Sequence, residues 1–90
     1  MDKIEEDIII VNPLGLHARP AATLVKTALN FQSDIHASVN GHRVNAKSIM
    51  GLLTLAAGQG AQVTVSCQGE DAQEAMEAIR SLIESGFGEM

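Results

Sequence analysis

The pair Asn40-Gly41 restricts the fold of this chain more than any other stretch, because residues on both sides of it alternate between apolar and polar. A type I′ turn needs positive φ at both central residues, and Asn-Gly supplies this at least cost, so a two-residue β-hairpin is expected. Its register follows by arithmetic. If Val39 faces His42, then Ala37 faces Val44 and Ile35 faces Ala46. Nearly all the apolar side chains then share one side, while His36, Ser38, Arg43 and Asn45 share the other. The apolar side must be covered by the rest of the chain.

The covering elements are legible on both sides of the hairpin. Ile4 to Val11 ends in a β-branched run and stops at Asn12-Pro13, the mark of a strand followed by a turn. Ala18, Ala22, Val25 and Leu29 recur at helical spacing, widened by Leu24, Ala28 and Phe31, which predicts a helix ending near Asn30. Ser48 is a natural N-cap for a second helix with Ile49, Leu52, Leu53 and Ala56 on one stripe, stopped by Gly58 and Gly60. Ala61, Val63, Val65 and Cys67 alternate with Gln62, Thr64 and Ser66, a strand with one wet face. Asp71 and Glu74 form a capping-box pattern ahead of Ala72, Ala75, Met76, Ile79, Leu82 and Ile83, and Gly86 closes this third helix. The order is βαββαβα, and a four-stranded sheet with three helices on one side, a two-layer α+β sandwich, satisfies every apolar face. The chain of 90 residues carries no repeat or linker and reads as one domain, 1–90.

Aromatic residues make up only 2% of the chain, so the core is aliphatic and no aromatic platform for stacking bases exists. Six Lys and Arg against 11 Asp and Glu leave a net charge of −5, which disfavours nonspecific attraction to nucleic acid or anionic membrane. Protein partners or small molecules are expected instead. The lone Cys67 has no disulfide or metal partner in the sequence, and the apolar run Ile8 to Val11 is too short for a signal peptide or a membrane span. A cytoplasmic setting fits both.

Against this background "VNPLGLHARPAATL", residues 11–24, is unusual, for it places His17 and Arg19 at a helix start, where the dipole already disfavours positive charge. Pro20 is tolerated only in the first turn, so it fixes the helix start near Ala18 and puts His17 at about the N-cap. The free amides of Ala18 and Arg19, the dipole and the planar guanidinium together make a receptive end for an anion. An imidazole with an ordinary pKa of about 6.5 keeps a ring nitrogen free as a nucleophile at neutral pH. A single histidine is also commonly a plain surface residue. It is the Pro and Arg spacing, with no acidic pair, P-loop or metal cluster elsewhere, that favours His17 as a phosphoryl acceptor.

"NPLGLHARPAA" together with "NAKSIMGLLTLAAGQG" resembles the HPr family, the histidine-containing phosphocarriers of the bacterial phosphoenolpyruvate-dependent sugar phosphotransferase system. The likeness runs from the first strand through the third helix. It implies an open-faced β-sandwich with an antiparallel sheet, and phosphorylation of His17 on Nδ1 by phosphorylated enzyme I, with Arg19 helping to hold the phosphate. It implies onward transfer to IIA proteins or domains, with no cofactor and no metal. Because such transfers occur inside complexes, neither a pocket nor a general-base carboxylate is expected. Ser48 is physically an N-cap first, which does not exclude regulation, and within the resemblance it matches the serine that HPr kinase/phosphorylase modifies in many bacteria.

The second helix carries more apolar residues than one face can bury, including Met50 and Leu55, so some must be exposed. Ile49 and Met50, with Arg19, Thr23 and Lys26 on the first helix, are therefore candidates for the surface seen by enzyme I and IIA, with Ile49 as a core residue the alternative. A monomer is expected. His36 and His42 have no partner at useful spacing and read as surface or structural residues. Rival functions are a nitrogen-branch HPr paralogue, a regulatory HPr acting mainly by binding transcription regulators or enzymes, and a small-molecule-binding regulatory domain. The family's specialised regulator lacks the histidine, which favours the carrier.

Overall fold

Asn40 and Gly41 take φ values of 51° and 83°, the two left-handed conformations that a type I′ turn requires. The hairpin they close has the register deduced from the sequence. Val39 pairs with His42 and Ala37 with Val44, and Ala46 N–H donates to the Ile35 carbonyl at 2.9 Å. The computed structural model describes residues 3–89. They form β1 (Lys3–Ile9), α1 (Ala18–Ala28), β2 (Asp34–Val39), β3 (His42–Asn45), α2 (Ile49–Leu53), β4 (Gln62–Gln68) and α3 (Ala72–Glu84), followed by a 3₁₀ turn, Gly86–Gly88.

The sheet is antiparallel throughout, in the order β1-β4-β2-β3. Strand β4 lies inside it because it has the most to bury. Val63, Val65 and Cys67 meet Ile8, Ala37 and Ile35 in register and are at most 2% exposed. Helix α3 packs on β1 and β4, α1 packs against α2 and α3, and α2 touches β3. One aliphatic core between helices and sheet results, closed by Met76, Ile79, Ile83 and Phe87. Desolvation in this core pushes the Cys67 thiol up to about 11, so it stays a protonated, inert small hydrophobe.

The other face of the sheet is uncovered, as expected of an open-faced sandwich, but it is not wet throughout. Ser66, one of the alternating polar residues of β4, is only 5% exposed because Glu5 and His36 flank it on either side. His36 lies on this face, and burial followed by the nearby Arg43 charge lowers its pKa.

Three local expectations need correction. The buried stripe of α1 is Pro20, Ala21, Leu24, Val25 and Ala28; Ala18 is exposed and Leu29 is 61% exposed. Leu24, Val25 and Ala28 of the expected face are buried, but Ala18, Ala22 and Leu29 are not, and Pro20 and Ala21 take their place, because alanine dominates this helix and carries little phase information. Helix α2 ends at Leu53, and Ala56 turns outward at φ 49°, while Leu55 and Ala57 are buried in its place. Asp71 stands at the N-cap of α3 without a side-chain cap bond, so no capping box forms.

Instead Asp71 reaches back across the chain. Its carboxylate accepts the Gln32 and Ser33 amides at 2.8 and 2.9 Å and the Ser33 hydroxyl at 2.5 Å, tying the end of α1 to the start of α3. These donors, the Ser33 hydroxyl foremost, hold its pKa below the usual carboxylate range. A carboxyl group depressed in the fold contributes stability that is complete above its unfolded pKa of about 3.9 and is lost as pH falls through the lower folded value. Asp71→Ala should therefore lower Tm at pH 7, and the gap from wild type should shrink as thermal unfolding is followed down through pH 4 towards pH 2.

Candidate functional site

The loop before α1 is fixed first by its own turn. Gly15 N–H donates to the Asn12 carbonyl at 3.1 Å, and the Asn12 side-chain amide donates to the Gly15 carbonyl at 2.8 Å. Gly15 sits at φ 68°, and a Cβ there would lie 2.4 Å from the Ala57 carbonyl oxygen and 2.7 Å from Gly58 Cα. Both are backbone atoms, so only glycine fits. That close approach lets Leu16 N–H donate to the Ala57 carbonyl at 2.8 Å, anchoring the loop to the segment after α2.

His17 follows as the N-cap of α1, in an extended conformation (φ −81°, ψ −171°) with no side-chain cap bond. Its carbonyl accepts the first helical bond, from Ala21 N–H at 3.0 Å. Pro20 is the third helical residue, as the sequence required. The amides of Ala18 and Arg19 have no acceptor among the described residues, so the helix end keeps free donors and its partial positive charge.

The other side of the site comes from the far end of the chain. Gly86, Phe87 and Gly88 all adopt left-handed backbone, at φ 70°, 57° and 72°. For a phenylalanine this conformation is costly, and burial of its ring to 8% exposure offsets the cost. Three such residues turn the chain back on itself, so that Glu89 reaches His17. Its two carboxylate oxygens lie 3.1 and 3.2 Å from His17 Nε2. The Asn12 amide donates to Glu89 Oε1 at 3.0 Å.

Chemistry settles the proton. Glu89 has its pKa lowered, first by the hydrogen bond from His17, with Asn12 and the charge of Arg19 adding to it, so it is an ionised acceptor. Nε2 must therefore carry the hydrogen. Nδ1 has no partner among the described residues, so in the neutral ring it is the nitrogen that holds the lone pair. The Asn12 amide cannot be reversed, since its oxygen would then oppose two acceptors, the Gly15 carbonyl and Glu89. Its oxygen is buried with no partner among the described residues, an arrangement that costs about 1–3 kcal/mol. His17, Arg19 and Glu89 line one shallow depression with Pro13, Leu14, Phe87 and Gly88.

Of the residues singled out in the sequence, His17, Arg19 and the two amides are together. No pocket and no general-base carboxylate were expected; the site has a shallow depression and a carboxylate that holds the ring at Nε2, and neither Glu89 nor Asn12 was anticipated. Only the Gly-Phe-Gly pattern at 86–88 hinted at the returning turn. Ser48 caps α2 by accepting the Gly51 amide at 3.0 Å. Ile49 is 41% and Met50 75% exposed, so Ile49 is not core, and Leu14, unnoticed in the sequence, is also 75% exposed. Lys26 and Arg19 are exposed, and the Thr23 hydroxyl donates to the Arg19 carbonyl at 3.1 Å. His42 does have a partner. The Thr54 hydroxyl gives its proton to the Gly51 carbonyl, so His42 Nε2–H must donate to Thr54 Oγ1, at 2.9 Å.

Residues 4–85 match the family described as the PTS HPr component phosphorylation site. The chain belongs to the HPr family. A phosphocarrier protein HPr of Cupriavidus necator is 51% identical over 86 residues, covering 96% of this chain and 97% of that one. An HPr of Xylella fastidiosa is 49% identical over the same shares. Among solved structures, HPr-C-His from Thermoanaerobacter tengcongensis superposes with a TM-score of 0.91 at 48% identity, covering 100% of this chain and 99% of that one. The HPr of Bacillus anthracis gives 0.88 at 40% identity, covering 92% and 99%. HPr proteins are phosphocarriers of the phosphotransferase system, and the fold here is theirs. No helix among the described residues is long and apolar enough to cross a membrane.

The dependence of the HPr loop on one glycine gives a direct check. Gly15→Ala should destabilise the protein by well over about 1 kcal/mol, read as a lower urea midpoint, because a positive φ and a backbone clash coincide there.

Proposed function

We propose that this HPr-family chain, acting as a single domain over residues 1–90 in the cytoplasm, accepts a phosphoryl group on His17 Nδ1 from phosphorylated enzyme I. It then passes the group to IIA proteins or domains. The observation that carries this reading is the state of the His17 ring at the N-cap of α1: Nε2 is engaged by Glu89 and Nδ1 has no partner among the described residues, while Arg19 lines the same depression and the first two helix amides have no acceptor there. In the transfer the Nδ1 lone pair forms the bond to phosphorus as the bond to the donor atom breaks, and the donor keeps that electron pair. The amides of Ala18 and Arg19 and the guanidinium receive the phosphate oxygens, where donors set in advance stabilise developing charge. No cofactor is needed, and the carrier is not itself a complete enzyme.

Arg19, Thr23 and Lys26 on α1 and the exposed Ile49 and Met50 on α2 form the surface offered to enzyme I and IIA, since α1 and α2 pack side by side. Ser48 is the second proposed site. A phosphate there adds about −1.5 to −2 charge at a helix start that tolerates it, and places it beside the same exposed apolar residues. An HPr kinase/phosphorylase would thereby reduce docking without unfolding the protein. The working unit is a monomer, although dimers are recorded for an HPr of Thermoanaerobacter tengcongensis and for Crh of Bacillus subtilis.

Incubation with phosphoenolpyruvate and enzyme I should add one acid-labile phosphate to the wild type and none to His17→Ala, as read by mass spectrometry. Equal gain by both proteins, or none by the wild type, would exclude the reading. Arg19→Ala should slow the reaction about tenfold or more, the scale for loss of one charged donor. Lys26→Glu and Met50→Asp should slow transfer with Tm unchanged, and unaltered rates would remove those residues from the docking surface.

A further inference from the structure

The His17 ring is held by a side chain from the opposite end of the chain, and that side chain is held in turn. Glu89 spans Nε2 with both oxygens, at 3.1 and 3.2 Å, and Asn12 donates to Glu89 Oε1 at 3.0 Å. Asn12 is fully buried and is bound to the Gly15 carbonyl, and its own oxygen has no partner among the described residues. A buried amide kept with an unsatisfied oxygen, when its other end orients a carboxylate on the reactive ring, is better explained by the site than by stability. The returning turn is also built at a cost, with Phe87 in left-handed backbone between two glycines.

The geometry assigns Glu89, oriented by Asn12, as the positioning residue that fixes His17 in the Nε2–H tautomer and offsets the charge its ring gains when Nδ1 takes up a phosphoryl group. This rests on His17 being the acceptor. When Nδ1 shares its lone pair with phosphorus, no proton leaves the ring, which therefore becomes formally cationic with its hydrogen still on Nε2. That charge arises at a helix start with free amides and Arg19 nearby, all unfavourable to a cation. Among the described residues Glu89 is the only acid lining the depression, and it already sits on the hydrogen that remains. When the phosphoryl group departs, the Nδ1–phosphorus pair returns to the ring and the tautomer is unchanged, so the carrier is ready for another cycle without a proton shift.

Two readouts test this on the full chain. With ¹⁵N-labelled histidine, the wild type should be almost entirely Nε2–H while its ring is neutral. Glu89→Ala should drift towards the mixture of free imidazole, Asn12→Ala should show a smaller drift, and Glu89→Gln should keep the tautomer through its amide oxygen. In phosphorylation by enzyme I, Glu89→Ala and Glu89→Gln should both be slowed about tenfold, the scale of one charge-assisted hydrogen bond, because glutamine keeps the orientation but not the charge. Amide spectra establish that each variant is folded. If Glu89→Ala keeps the wild-type tautomer, or if both Glu89 variants are phosphorylated as fast as wild type, the assignment is overturned. Failure of the wild type to accept phosphate would instead overturn the carrier reading.

Discussion

The site depends on a place where two stretches of backbone touch. Gly15 lies so close to Ala57 and Gly58 that no side chain fits between them, and this contact lets Leu16 bond to the Ala57 carbonyl. Leu16 and Ala57 are both in the core, so the loop is anchored to the same aliphatic packing that holds the sheet and helices together. From there the chain has one way forward: His17 in extended backbone at the cap, then Ala18, Arg19 and Pro20 in the first turn. Core packing thereby sets where the imidazole stands relative to the helix dipole.

That position is electrostatically awkward while it is empty. A ring that can itself become cationic stands at a helix start whose first two amides have no acceptor among the described residues, in one depression with Arg19. Glu89 places a negative charge against Nε2 and leaves Nδ1 without a partner among the described residues. In the proposed reading one ring carries two separated tasks, an electrostatic anchor at Nε2 and a nucleophile at Nδ1. The same hydrogen bond from His17 is the first cause that lowers the pKa of Glu89.

Much of this was legible in the sequence wherever local chemistry decides the outcome. Asn40-Gly41 set the hairpin register, Pro20 set the start of α1 and Ser48 set the cap of α2. Patterns failed where alternatives differ little in local energy. On α1 the many alanines made the buried phase ambiguous, and after Leu53 a left-handed Ala56 ended a helix that periodicity would have continued. Asp71 had a local capping role available and took a distant one, with Ser33. Glu89 could not be placed at all from sequence pattern, because its partner lies 72 positions away and the link depends on consecutive left-handed residues. Resemblance to known carriers supplied the donor and acceptor, while the structure supplied the arrangement of the ring.

The most direct measurement is heteronuclear NMR on ¹⁵N-histidine-labelled protein after phosphorylation with phosphoenolpyruvate and enzyme I. Phosphorus coupled to Nδ1 of His17, with the hydrogen retained on Nε2, is the expected result. Phosphorus on Nε2, or on any residue other than His17, would contradict the central claim that the fold leaves Nδ1 as the one nucleophile of the site.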